Sequence, residues 1–142
     1  MKKPRRLLVG LKTMDHALPL ADLACRTAAR NATVFLVHVI ELPDTTPLDA
    51  EIPDLEKAGR KILQAAERVV RRSGLKAETL MYRARLAGEA LLDEINAKRI
   101  ELAIFGYHHR RSLTELILGT AAHHLTRHAP CQMLLVIPPR EG

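Results

Sequence analysis

Short, continuous apolar runs alternate with amphipathic stretches along the whole chain. Leu7-Leu8-Val9-Gly10-Leu11 has the pattern of a strand buried on both faces. Thr33 to Ile40 repeats that pattern, and Leu75 to Tyr82, Ile100 to Gly106 and Pro130 to Pro138 read as further strands. Between the first two runs, Ala17, Ala21, Ala24 and Ala28 recur at helical spacing within Asp15 to Arg30. Pro19 is tolerable only in a first turn, so the pattern predicts a helix that begins close to it. Leu42 to Pro53 holds three prolines (Pro43, Pro47, Pro53) and reads as a loop. Leu55 to Arg72 is a long amphipathic helix, with Leu55, Ile62, Leu63, Ala66, Val69 and Val70 on one side. Ser73-Gly74 stops it as a C-cap. Gly88 to Arg99 predicts a further helix, and Thr114 to His128 a helix-rich stretch interrupted by Gly119.

The order is therefore strand-helix four times over, closed by a fifth strand. That order predicts an α/β fold: a five-stranded parallel sheet with helices on both faces, doubly wound and Rossmann-like, joined by right-handed crossovers. No linker, repeat or low-complexity tract divides it, so residues 1–142 are expected to form one domain. In such sheets ligands sit outside the carboxyl ends of the strands, where the strand order reverses. The expected mouth is Leu11–Met14, Val39–Leu42 and Gly106–Arg111.

Composition narrows the partners. The chain has 142 residues, 47% apolar and 27% charged, with a formal net charge of +6. No apolar run approaches the roughly 20 residues of a membrane span, and the basic N-terminus leads into a run too short for a signal peptide. Cys25 and Cys131 suggest free thiols in a reducing cytoplasm. The positive charge invites a nucleic-acid reading, but only Phe35, Phe105, Tyr82 and Tyr107 are aromatic, and single-strand binders place aromatic platforms among their cations. A solvated basic surface with one anion site fits better.

The chemistry concentrates near the last third. Gly106-Tyr107-His108-His109, then nine residues, then Gly119-Thr120 resembles the nucleotide loop of the universal stress protein family: Gly, two residues, Gly, nine residues, Gly, Ser or Thr. Glu115 to Thr120 followed by Arg127-His128-Ala129-Pro130-Cys131 is similar to that family's C-terminal signature. Leu7–Leu11, Val37–Ile40 and Ala87–Leu92 resemble its first strand, second strand and third helix. The resemblance implies a small cytoplasmic stress-response protein, usually dimeric and non-catalytic, with one branch that holds ATP and another that does not. Where the ATP branch ends its first strand in Asp, this chain has Lys12, and the second motif glycine is His109. Lys12 offers donors only and His109 crowds a phosphate loop, yet both add cationic character. The candidate nucleotide or anion site is Gly10, Lys12, Val39, Gly106, His109, Arg110, Gly119, Thr120 and Ala121. ATP is the favoured ligand, with ADP or AMP beside it and Mg²⁺ arriving only with nucleotide. The rival is a homodimeric interaction module without nucleotide.

Other features have plainer explanations. Gly106 and Gly119 also suit turns and helix packing. His124 and His128 have the i, i+4 spacing of metal ligands, but no third ligand is assignable. His38, inside an apolar strand, reads as a hydrogen-bonded core histidine, and Cys131 as a small buried residue without a base. No Gly-x-Ser-x-Gly, Walker loop or dinucleotide fingerprint announces an enzyme. Met133-Leu134-Leu135-Val136-Ile137 carries no charge and is expected at a sheet edge. An unprotected apolar edge predicts a homodimer through this last strand.

Overall fold

The computed structural model describes residues 2–106 and 120–137. Its strands are β1 (Arg6–Gly10), β2 (Thr33–Glu41), β3 (Lys76–Ala84), β4 (Leu102–Gly106) and β5 (Gln132–Val136). The helices are α1 (Met14–Thr27), α2 (Pro53–Arg72), α3 (Ala87–Ala97) and α4 (Thr120–His128). All five strands are parallel, in the order β3-β2-β1-β4-β5. The expected doubly wound α/β fold is the observed one, with β5 at an edge.

Alternation within the strands explains the two layers of helices. Leu7 and Val9, Val34 and Leu36, and Leu102 and Ile104 point to one face. There they bury Ala17, Leu20, Ala21 and Ala24 of α1 and Ile62, Leu63, Ala66 and Val70 of α2. Leu8, Phe35, Val37, Ala103 and Phe105 point the other way, against Leu91 and Ile95 of α3 and Leu125 of α4. Burying each large aliphatic side chain is worth about 1.5–3 kcal/mol, so both faces contribute to the core. The alanine stripe of α1 keeps that helix close to the sheet, since a larger residue at Ala21 or Ala24 has no free volume to enter.

Several boundaries differ from the sequence pattern. Helix α1 begins at Met14, five residues before Pro19, which lies inside it. Ala17 is fully buried and so anchors the first turn, while Pro19 faces solvent, where water can solvate the carbonyl its missing N–H leaves free. Strand β5 is shorter than the expected Pro130–Pro138, because its pairing with β4 spans only Gln132 to Val136. Strand β3 is longer than expected, pairing with β2 along all nine residues from Lys76 to Ala84. The stop at Ser73-Gly74 is as expected. Gly74 has φ +80°, its N–H bonds the Arg71 carbonyl at 3.0 Å, and the Leu75 N–H bonds the Val70 carbonyl at 3.4 Å. That is a Schellman ending, which needs a left-handed residue at that position.

Candidate functional site

The chain runs outward from β1 through β2 to β3, then returns to place β4 on the opposite side of β1. The strand order therefore reverses between β1 and β4, and a crevice opens at their carboxyl ends. Gly10 and Gly106 close those two strands. A Cβ on Gly10 would lie 2.6 Å from two carbons of the Phe105 ring. One on Gly106 would lie 2.9 Å from His16 Nδ1 and 3.2 Å from Leu20 Cδ1. Both glycines thus make room for neighbouring side chains, the packing role that the sequence left open for Gly106.

Beyond Gly10 the backbone is held by two bonds. The Leu11 N–H donates to the Val37 carbonyl at 2.8 Å, and the Leu11 carbonyl accepts from His38 Nδ1 at 2.8 Å. A carbonyl only accepts, so the proton of His38 sits on Nδ1. Buried His38 is the hydrogen-bonded core histidine expected, and it also tethers the segment that presents exposed Lys12. Gly59 of α2 permits this, since a Cβ there would lie 2.7 Å from His38 Cδ2 and 2.8 Å from Met81 Sδ. Val39 is half-buried and packs against the α3–α4 side of the core.

Helix α4 is described from Thr120 onward, and half-buried Ala121 crosses closely over α3. A Cβ on Gly88 would meet the Ala121 Cα at 3.2 Å and its carbonyl oxygen at 3.3 Å. The first turn of α3 and the Thr120–Ala121 end of α4 therefore pack against each other, and the α3 dipole favours an anion at its N-terminal end. His109, Arg110 and Gly119 lie outside the described residues. Gly10, Lys12, Val39, Gly106, Thr120 and Ala121 all lie at the carboxyl end of the sheet.

Sequence reasoning missed His16, and it missed a pair of arginines beyond the mouth. Arg83 pairs with Glu56 and donates to the carbonyls of Leu48, at 3.1 Å, and Ala50. Arg85 donates to the carbonyls of Thr46, at 2.6 Å, Pro43 and Leu42. Together they pin the loop between β2 and α2. Their i, i+2 spacing at the end of a strand was the available signal. A third missed contact is Tyr82, whose hydroxyl donates to Glu94 Oε1 at 2.6 Å. Burial first, then that bond and the Glu94 charge, push the phenol up to about 12.

The remaining features are structural. The His124 and His128 rings are in contact, centroids 4.7 Å apart, and among the described residues no group of three potential ligands surrounds a metal position. Cys25 and Cys131 are free and half-buried, and burial pushes the Cys131 thiol up, away from a reactive thiolate. Arg6 lies over the Phe35 ring, 5.1 Å from its centroid, at the end of the sheet opposite the mouth. Among the described residues no helix is long and apolar enough to cross a membrane.

The sequence matches the universal stress protein family over residues 3–137. The chain belongs to that family. It is 27% identical over 136 residues to the universal stress protein YxiE of Bacillus subtilis, covering 90% of each chain. A universal stress protein from Archaeoglobus fulgidus has the same fold, with a TM-score of 0.74, 20% identity and coverage of 95% of this chain and 98% of that one. The Archaeoglobus fulgidus protein in complex with dAMP gives a TM-score of 0.69 at 16% identity, covering 94% and 98%. A universal stress protein family protein from Arabidopsis thaliana with AMP bound gives 0.64 at 15% identity, covering 96% and 93%.

Proposed function

We propose that this chain is a cytoplasmic, non-catalytic stress-response protein that binds ATP or another adenine nucleotide at the carboxyl end of its sheet. The observation that carries the proposal is that exposed Lys12 follows β1 at the β1–β4 reversal, at the same end of the sheet as the close approach of α3 and α4 at Gly88 and Ala121. The Lys12 ammonium and the N-terminal dipole of α3 suit a phosphate, and the proposed site residues include no carboxylate. The apolar surface of Val39 suits a base. His109, Arg110, Gly119 and Thr120 complete the proposed site on the strength of the family motif, and Mg²⁺ would enter only on the phosphates. Nucleotides bound to universal stress proteins from an archaeon and a plant support the same ligand class. The protein is proposed to act as a homodimer paired through β5.

A second reading is a homodimeric interaction module that holds no nucleotide. It is favoured by the filling of the space at Gly10 and Gly106 by Phe105 and His16. Denaturing the purified protein and measuring released nucleotide by absorbance and mass separates the two. Calorimetric titration then tests the site. ATP is expected to bind, the Lys12→Ala/Arg110→Ala variant to bind about tenfold more weakly, and the Lys12→Asp/His109→Gly variant more tightly. Absence of both co-purified and titratable ATP, ADP and AMP would falsify the nucleotide reading and leave the interaction module.

A further inference from the structure

From Glu41 to Glu56 the chain carries Glu41, Asp44, Asp49, Glu51, Asp54 and Glu56 and no Lys or Arg, although its formal net charge is +6. Part of this segment borders an open cleft of about 220 Å³, lined by Asp49, Ala50, Glu51, Ile52, Pro53, Glu56 and Arg83. A single water occupies roughly 30 Å³, so the cleft is on the scale of one long side chain. Among the described lining residues the one cation, Arg83, is already engaged: it pairs with Glu56 and donates to the Leu48 and Ala50 carbonyls. Asp49 and Glu51 are exposed, and no ion pair among the described residues reaches either. Ile52 and Pro53 supply an apolar wall. Leu48, 44% exposed, and Leu55, 49% exposed, flank the cleft in the chain.

We propose that this cleft is a docking site for a basic, leucine-rich protein segment, apart from the nucleotide site. An Arg or Lys side chain of the partner lays its aliphatic stem on Ile52 and Pro53 and its charge between Asp49 and Glu51. Apolar side chains beside it cover Leu48 and Leu55. Two observations select this occupant: the net negative lining, which only a cation complements, and the flanking leucines, which free metal ions or polyamines would leave exposed. Arg83 and Arg85 hold the loop through five backbone carbonyls, so the cleft is formed before the partner arrives and little ordering is needed on binding.

Fluorescence polarisation with a labelled synthetic peptide of repeating Arg-Leu-Leu-Arg tests this on the whole chain. Saturable binding is expected, with about tenfold loss in Asp49→Asn/Glu51→Gln and in Leu48→Ser/Leu55→Ser. Each variant is checked for an unchanged melting temperature. A peptide with Glu in place of every Arg is expected not to bind, and one with Ser in place of every Leu to bind about tenfold more weakly. Lys12→Ala and Asp22→Asn are expected to bind as wild type, which keeps failure here distinct from failure of the nucleotide site. Unsaturable binding, equal binding of all three peptides, or wild-type affinity in Asp49→Asn/Glu51→Gln overturns the proposal. So does sedimentation showing that the protein self-associates through this cleft and that Asp49→Asn/Glu51→Gln abolishes it, which assigns the face to a second copy.

Discussion

Gly10 and Phe105 are partners across the β1–β4 pairing, and the Phe105 ring occupies the space that a Cβ on Gly10 would need, 2.6 Å from two ring carbons. The contact sits at the reversal of strand order, so it sets how closely the two strand ends approach beneath the candidate site. Gly10→Ala must displace a ring already packed in the core. We expect a loss of about 1–3 kcal/mol, seen as a lower denaturant midpoint at unchanged slope. Phe105→Leu vacates part of that space, so the double variant should lose less than the sum of the single losses. Strict additivity would mean that the two positions do not compete.

His38 supports the same rim from the other side of β1. Replacing it with Leu keeps the bulk but leaves the Leu11 carbonyl without its donor, at an expected cost of about 1–3 kcal/mol. Gly59→Ala should cost a similar amount by a different route, because the new methyl would press on both His38 and Met81. Amide exchange at Lys12 and Thr13 should quicken in both variants. Wild-type exchange in His38→Leu would show that the tether does not order this segment.

The fold was legible because parallel strands covered on both faces must be apolar at nearly every position. Val34 to Val37 could hardly be anything but a central strand. The start of α1 was not legible: Pro19 marks a helix start only when nothing else holds the preceding turn, and the burial of Ala17 is a tertiary fact. Gly10, Lys12, Val39 and Gly106 could be placed at the mouth because topology alone brings strand ends together. His16 could not, since its approach to Gly106 depends on the angle at which α1 leaves β1. Arg83 and Arg85 looked like ordinary surface cations, and only the path of the Leu42–Ile52 loop gives them carbonyls to bind. The expectations for His109, Arg110 and Gly119 concern residues outside those described.

Tyr82 makes the stability depend on alkaline pH. Its folded pKa, about 12, lies above the ordinary tyrosine value of 10.0, chiefly through burial and then through the bond to Glu94 and its charge. A folded value above the unfolded one contributes stability that is present in full below pH 10 and is lost as pH rises toward 12. The Tyr82→Phe variant should therefore show a shallower loss of stability across that window. A phenolate absorbance step near pH 12 should disappear with it. An identical alkaline profile in wild type and variant would reject this assignment.

Arg83 should matter locally more than globally. Arg83→Lys keeps the charge but cannot bridge Glu56, the Leu48 carbonyl and the Ala50 carbonyl at once. The loop between β2 and α2 should then open more often without the core unfolding. Limited proteolysis is expected to cut between residues 42 and 52 several-fold faster, while the melting temperature changes little. Unchanged cleavage would show that Arg85 alone holds the loop.

Strand β5 bears on oligomeric state. Among the described residues it pairs only with β4, and none of its five residues is fully buried. Met133 and Leu135 pack toward α3 and α4, whereas Leu134 points to the face where α1 and α2 cover the central strands, and is 37% exposed. Ile137 just beyond the strand is 47% exposed. A charge at Leu135 would therefore damage the core as well as any interface, and Leu134 is the cleaner probe. Lysine on an exposed edge position is a common means of preventing strand pairing, and a surface change there should alter stability by no more than about 0.5 kcal/mol. Light scattering should find the wild type dimeric and Leu134→Lys monomeric at the same melting temperature. Leu135→Lys should lose both dimer and stability, because its side chain contacts the core. A wild type that stays monomeric at high concentration, or a Leu134→Lys variant that remains dimeric, would remove β5 as the interface.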